Sequence, residues 1–365
     1  MCDNNIENQH EAFKPFRLNE EESPLSIVYK AFTAQYDPDP ALHLVRDFCL
    51  TSTSIENQRK SLEFLYMRSF FKELDEMIEI NKKSERIENR QWAELFDILI
   101  TRRRKNVDHY QILDQIKNIK PVSSYVELYK QFITIYCYHE LRQSGKLANY
   151  LDSINDLIEQ VEDPLMLMFF QERMEDYHYF YHFQRNELIL CRMYGFRLLK
   201  KPHNIYKNCL VHRNIALTYL FESYEQAMYH INEALRIAKE MGYTLLEDGI
   251  VNNNIPFIAA VNGKYEGIST TNPVEQAHLN IAKGNIDEAL SVLEKIENPS
   301  QYQEYYLGKA LKDKARLMNS YNRFIQQGDY FGAKLPFTEI QKLRENISGP
   351  KNQRDISIVE TFLEE

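Results

Sequence analysis

Turn signals recur along this chain at nearly constant intervals. Marked at Arg68, Asn106, Gly145, Arg185, Ser223 and Gly263, they stand 38, 39, 40, 38 and 40 residues apart. A period of this size means that one supersecondary unit is stacked on copies of itself, because no single unit can bury its apolar face alone. From Leu25 onward apolar residues return every three or four positions, and strict two-residue alternation is absent over any useful length. Eleven glycines and 12 prolines among 365 residues are also too few turn formers for an all-β chain. The expected fold is all-α, a tetratricopeptide-like helical-repeat superhelix (α-solenoid). Its period exceeds the roughly 34 residues of strict tetratricopeptide units and nears the range of HEAT repeats.

The repeats carry their own packing code. In Phe221 to Met241, Tyr224, Ala227, Ile231, Ala234, Leu235 and Ala238 form one stripe, with alanines where a neighbouring helix must come close. The form returns at Gly284 to Leu293, where a Gly-Asn turn ends one helix and Asp287 and Glu288 open the next. A weaker copy begins at Gly328-Asp329. Between Gly263 and Gly284 the period fails, at 21 residues, across the turn-rich run 267–273.

The expected organisation is therefore a polar, mostly loose segment at 1–24, amino-proximal repeats at 25–262, carboxy-proximal repeats at 274–346 and a terminal helix at 351–365. In that last helix Ile356, Val359, Phe362 and Leu363 make an apolar face that expects a partner, read as a homodimer contact. A helix-turn-helix needs about 50 to 60 residues, so none is obvious ahead of the repeats.

Charge and motifs narrow the function. A net charge of −9 is not that of a polybasic nucleic-acid binder. The one dense basic run, Arg102, Arg103, Arg104 and Lys105, is a weak candidate for phosphate contact, because it also falls where cations complement a helix carboxy terminus. Five scattered cysteines with no CxxC pattern argue for a reducing compartment. The amino end lacks a signal-peptide pattern, and no run of ~18 apolar residues occurs, so a cytoplasmic protein without membrane contact is expected. Glycine-rich phosphate loops, GxSxG and HExxH are all missing, so neither an enzyme nor a cofactor is expected. His178 and His182 sit four apart with Glu175 just upstream, a pattern read as groove-lining histidines among tyrosines rather than as a zinc site. The inner face of a helical array is the natural ligand surface, and Tyr177, Phe180, Gln184, Tyr206, Asn214 and Tyr219 are candidate inner-face residues.

Three stretches carry a family resemblance. Leu25 to Leu50, Ser223 to Ala227 followed by Glu275 to His278, and Lys334 to Asn346 resemble the arbitrium receptors (AimR), the phage peptide-pheromone receptors related to the Rap, PlcR and NprR group. The similarity runs in order over about residues 25–346. It implies an intracellular homodimer that takes a short communication peptide into its groove and serves the lysis-lysogeny decision as a peptide-regulated transcription regulator. It also implies a peptide-contacting set. Asp329 and Phe331 match that set directly, and Asn298 matches across a short gap. Gln184 is a conservative replacement, Phe180, Tyr206 and Leu217 stand where polar or cationic contacts occur in the family, and Leu220 completes the group. The aromatic replacements imply a more apolar peptide. The output is expected on phage DNA or, alternatively, on a host or phage regulatory protein, as in a Rap-like adaptor that touches no DNA.

Overall fold

The computed structural model describes residues 12–18, 21–102, 107–141, 143–201 and 205–348. Helix dominates them, and the one strand pairing among the described residues is a two-residue antiparallel rung, Arg17–Leu18 against Glu21–Glu22. The chain divides into two compact units. The first comprises Met1–Phe183, Glu187–Tyr219 and Glu225–Glu247; the second comprises Gln184–Asn186, Leu220–Tyr224 and Asp248–Glu365.

The helices of the first unit are α1 (Leu25–Gln35), α2 (Pro38–Thr51), α3 (Ile55–Met67), α4 (Phe71–Lys82), α5 (Ile87–Arg102), α6 (His109–Asn118), α7 (Ser124–Glu140), α8 (Leu151–Glu159), α9 (Pro164–Gln184, whose last residue falls in the second unit), α10 (Leu188–Leu199), α11 (Ile205–Thr218) and α12 (Tyr224–Glu240, whose first residue falls in the second unit). Local chemistry sets their starts: Ser54, Asp108 and Ser123 accept hydrogen bonds from backbone N–H groups of the first turns of α3, α6 and α7. The expected turns at Arg68, Gly145, Arg185 and Ser223 fall between helices, whereas Asn106 lies outside the described residues.

The core is built from aromatic rings stacked through the repeat. Trp92 meets Tyr129 edge-on at 4.7 Å, and Phe132 stacks on Phe170 at 6.0 Å. The alanine stripe of α12 behaves as its spacing requires, with Ala227, Ile231, Ala234 and Ala238 buried. Gly195 of α10 has the same purpose, since a Cβ there would come within 2.8 Å of the Tyr179 ring.

The described part of the amino-terminal segment is not loose, contrary to expectation. Phe13 is buried edge-on to Phe32 and Phe48, and Glu22 accepts hydrogen bonds from Ser52, Thr53, Ser54 and Asn57. Burial alone would raise the Glu22 carboxyl pKa, but these donors outweigh it and hold it below the ordinary value. Phe13 and the Glu22 carboxylate thus tie the described part of this stretch to α1, α2 and the turn after α2.

A short helix α13 (Thr244–Gly249) begins in the first unit and ends in the second, which continues with a π turn (Ile250–Asn254), then α14 (Ile255–Asn262), α15 (Pro273–Lys283), α16 (Ile286–Leu293), α17 (Gln301–Leu311), α18 (Lys314–Gln326) and α19 (Tyr330–Ser348). Gly263 ends α14 in the left-handed region at φ 64°, as its place in the repeat required. The turn-rich run that follows lies within this unit and is held by the π turn: Thr270 Oγ1 donates to the Asn252 carbonyl at 2.7 Å. Asn272 then caps α15 through the N–H groups of Val274 and Glu275. The terminal segment carrying Ile356, Val359, Phe362 and Leu363 lies outside the described residues, as do Arg103, Arg104 and Lys105.

Candidate functional site

Three helices of the first unit turn one face each toward a common cleft. On α11 the lining residues are Tyr206, Lys207, Leu210, Arg213 and Asn214, and on α9 they are Arg173, Asp176, Tyr177, Phe180 and Tyr181. Both sets have the i, i+3/i+4, i+7 rhythm of a single helical face. The carboxy end of α7 adds Tyr136, His139 and Glu140, and Tyr66 and Arg102 close the rim from α3 and α5. The volume of this open cleft is about 470 Å³, within the range of small-ligand pockets.

The floor is ionic and buried. Arg173 Nε and Nη2 donate to the two carboxylate oxygens of Glu63 at 2.8 and 2.7 Å, and Nη1 donates to the Tyr136 hydroxyl at 3.1 Å. Arg173 and Glu63 are at most 1% exposed. Beside them Arg68 Nη1 reaches Glu172 at 3.2 Å, and Lys207 Nζ reaches Asp176 at 2.7 Å and Glu172 at 3.5 Å. Burial disfavours the charged form of Lys207, yet the Asp176 and Glu172 carboxylates outweigh it and raise its pKa. At the rim Arg102 pairs with Glu140 at 3.5 Å and lies over the Tyr136 ring at 4.8 Å.

Counting the charged groups of the cleft with the buried groups that pair them, five cations (Arg68, Arg102, Arg173, Lys207, Arg213) face four carboxylates (Glu63, Glu140, Glu172, Asp176). Arg213 is the cation left over. Its Nε donates to the side-chain oxygen of the adjacent Asn214 at 3.2 Å, and among the described residues no carboxylate lies within 4.0 Å of it. Burial pushes its pKa below the ordinary arginine value.

The eight residues expected to contact peptide fall into both units. Phe180 and Tyr206 line the cleft together, with the His139 ring 5.0 Å from Phe180 and Tyr243 edge-on to Tyr206 at 5.1 Å. Leu217, farther along α11, is half-buried and does not line the cleft. Gln184, Leu220, Asn298, Asp329 and Phe331 belong to the second unit. There Asp329 accepts a hydrogen bond from the Gly332 N–H at 2.8 Å in the first turn of α19, and Phe331 packs 5.7 Å from Phe221. Arg185 lies over Tyr330 at 5.3 Å, so the segments next to Gln184 and Leu220 meet the start of α19. Asn298 is exposed between α16 and α17. Of the inner-face candidates, Tyr177, Phe180, Tyr206 and Asn214 line the cleft, whereas Gln184 and Tyr219 do not.

His178 and His182 stack instead against Tyr194 at 4.9 and 5.6 Å, and His182 Nδ1 is 2.6 Å from Glu187. Among the described residues no group of three or more histidine, cysteine, aspartate or glutamate side chains could hold a metal ion. No helix there is long and apolar enough to cross a membrane.

Sequence reasoning missed Arg173, Lys207 and Arg213. The period of α11 carried the signal for Lys207 and Arg213, since both share a face with Tyr206. Nothing local marked Arg173, whose partner Glu63 is 110 residues away.

Comparison with known proteins follows this architecture closely. The family model described as AimR transcriptional regulator-like matches residues 41–342. The AimR transcriptional regulator of Bacillus phage SPbeta is 23% identical over 90% of this chain and 86% of its own length. An uncharacterized protein of Bacillus anthracis is 27% identical over 59% of this chain and 83% of its own. Among solved structures, phAimR with a ligand superposes with a TM-score of 0.70 at 17% identity, covering 88% of this chain and 98% of that one. The helical-repeat fold expected from the period is thereby matched, and the chain belongs to the AimR transcriptional regulator-like family.

Proposed function

We propose that this chain is the receptor for a short communication peptide, taken up by the cleft of the first unit, and that occupancy sets its activity as a regulator in the lysis-lysogeny decision. The observation that carries the reading is the convergence of one face each of α7, α9 and α11 on a single aromatic-walled cleft with a buried ionic floor. Tyr177, Phe180, Tyr181 and Tyr206 offer the stacking surface a flexible peptide needs, and the fixed charges below set its register. The family supports a regulator, and a structural neighbour was solved with a ligand. A peptide that fits one conformation better than another shifts the population toward it, which is all a sensor requires.

The test is affinity selection. The full chain is mixed with a random hexapeptide pool, passed through gel filtration, and the co-eluting peptides are sequenced by mass spectrometry. A small set of related sequences is expected; retention no better than by an unrelated helical protein contradicts the reading. A gel shift on phage DNA then locates the output. Release of DNA by the selected peptide places it on DNA, and peptide binding without any shift places it on a protein partner.

A further inference from the structure

We infer that Arg213 is an anchor for a carboxylate of the bound ligand, which makes the cleft selective for peptides that present one negative charge beside an apolar or aromatic residue. The inference rests on the peptide-receptor reading above and deepens it. A half-buried guanidinium has lost part of its hydration, and folded proteins normally return that loss through a paired carboxylate. Arg68, Arg102, Arg173 and Lys207 all follow this rule in the same cleft. Arg213 does not: among the described residues its side chain donates to one neutral amide oxygen at 3.2 Å, and its five N–H donors are far from filled.

Geometry selects the class of anion. One uncompensated positive charge matches a monoanion, and the planar fork of a guanidinium matches the two oxygens of a carboxylate. A phosphate dianion would leave a second negative charge in a cleft that already holds Glu140 and Asp176. Tyr206 stands seven residues before Arg213 on the same face of α11, and Phe180 lines the cleft from α9, so aromatic surface borders the anchor. The carboxylate has two sources, the peptide's own terminus or an acidic side chain.

Four hexapeptide pools separate these cases: with or without Asp and Glu, each as free acid or as carboxy-terminal amide. Each is offered to the full chain and to Arg213→Gln and Arg213→Lys. Retention of the free acid without Asp or Glu supports a terminal carboxylate, and retention of the acidic amide supports a side chain. In either case Arg213→Gln should lower enrichment by about tenfold to a hundredfold, as loss of a charged hydrogen-bond pair does, with partial retention in Arg213→Lys. If the pool without any carboxylate is retained equally well, the anchor is overturned while the peptide reading stands. If the wild-type chain retains no pool, the peptide reading itself fails. A merely structural role is told apart by the free protein: Arg213→Gln should melt no lower than wild type, because it removes an unpaired charge, and a lowered melting temperature would overturn the assignment.

Discussion

Arg173 occupies a demanding position in the first unit, because its charge is buried beneath the cleft and, among the described residues, the carboxylate paired with it is that of Glu63. Replacing Arg173 by Met strands that carboxylate and is expected to cost about 3–5 kcal/mol in urea unfolding; adding Glu63→Leu should recover most of the loss. Failure of the second substitution to recover anything would show that the side chain matters for packing against Tyr66 and Phe132 rather than for charge.

Glu275 in α15 poses a different electrostatic question. Burial pushes its carboxyl up to about 7, only partly opposed by the hydrogen bond from Tyr306. A carboxyl whose pKa is raised on folding stabilises most below its unfolded value of 4.5 and loses that contribution as pH climbs toward 7. Glu275→Gln keeps the shape without the titration, so its melting temperature relative to wild type should be higher at pH 8 than at pH 5. An offset independent of pH would contradict this. His278, 3.8 Å away and fully buried, has its pKa lowered by burial and by Lys309, and so loses stability on the acid side instead; only the difference between variant and wild type is diagnostic.

Helices are held at their ends as much as by their faces. Ser300 and Gln303 form a reciprocal capping box on α17, and Ser300→Ala should lower stability by about 1 kcal/mol, read as a shift in urea midpoint. Between α18 and α19 the Phe324 ring lies so close to the backbone of Gly332 that a Cβ there would fall 2.5 Å from it. Gly332→Ala is expected to cost about 1–3 kcal/mol, and an unchanged midpoint would mean that Phe324 has room to move. These features differ in how readable they are. The alanine stripe of α12 and the Gly284 turn are visible in the sequence because helical period and left-handed glycine both act within a few residues. The π turn at Ile250–Asn254 is not visible, since its widened hydrogen bonding has no composition of its own. The ordering of Phe13 and Glu22 was equally hidden, because their partners come from α1, α2 and the turn after α2.

The period near 39 residues gave away the architecture because every repeat repeats the same burial problem. It could not give the cleft. A cleft is the meeting of faces from α7, α9 and α11, and the pairs beneath it join residues 104 and 110 positions apart. Phe180 and Tyr206 were legible as inner-face candidates and again through the family likeness, and the fold brings them together, whereas Arg213 emerges only when each cation is matched with its carboxylate. The most direct test of the account is hydrogen–deuterium exchange of the full chain with and without a selected hexapeptide. The account predicts slower exchange in the cleft segments 135–140, 173–181 and 206–214; bound peptide that leaves all three unchanged would contradict it.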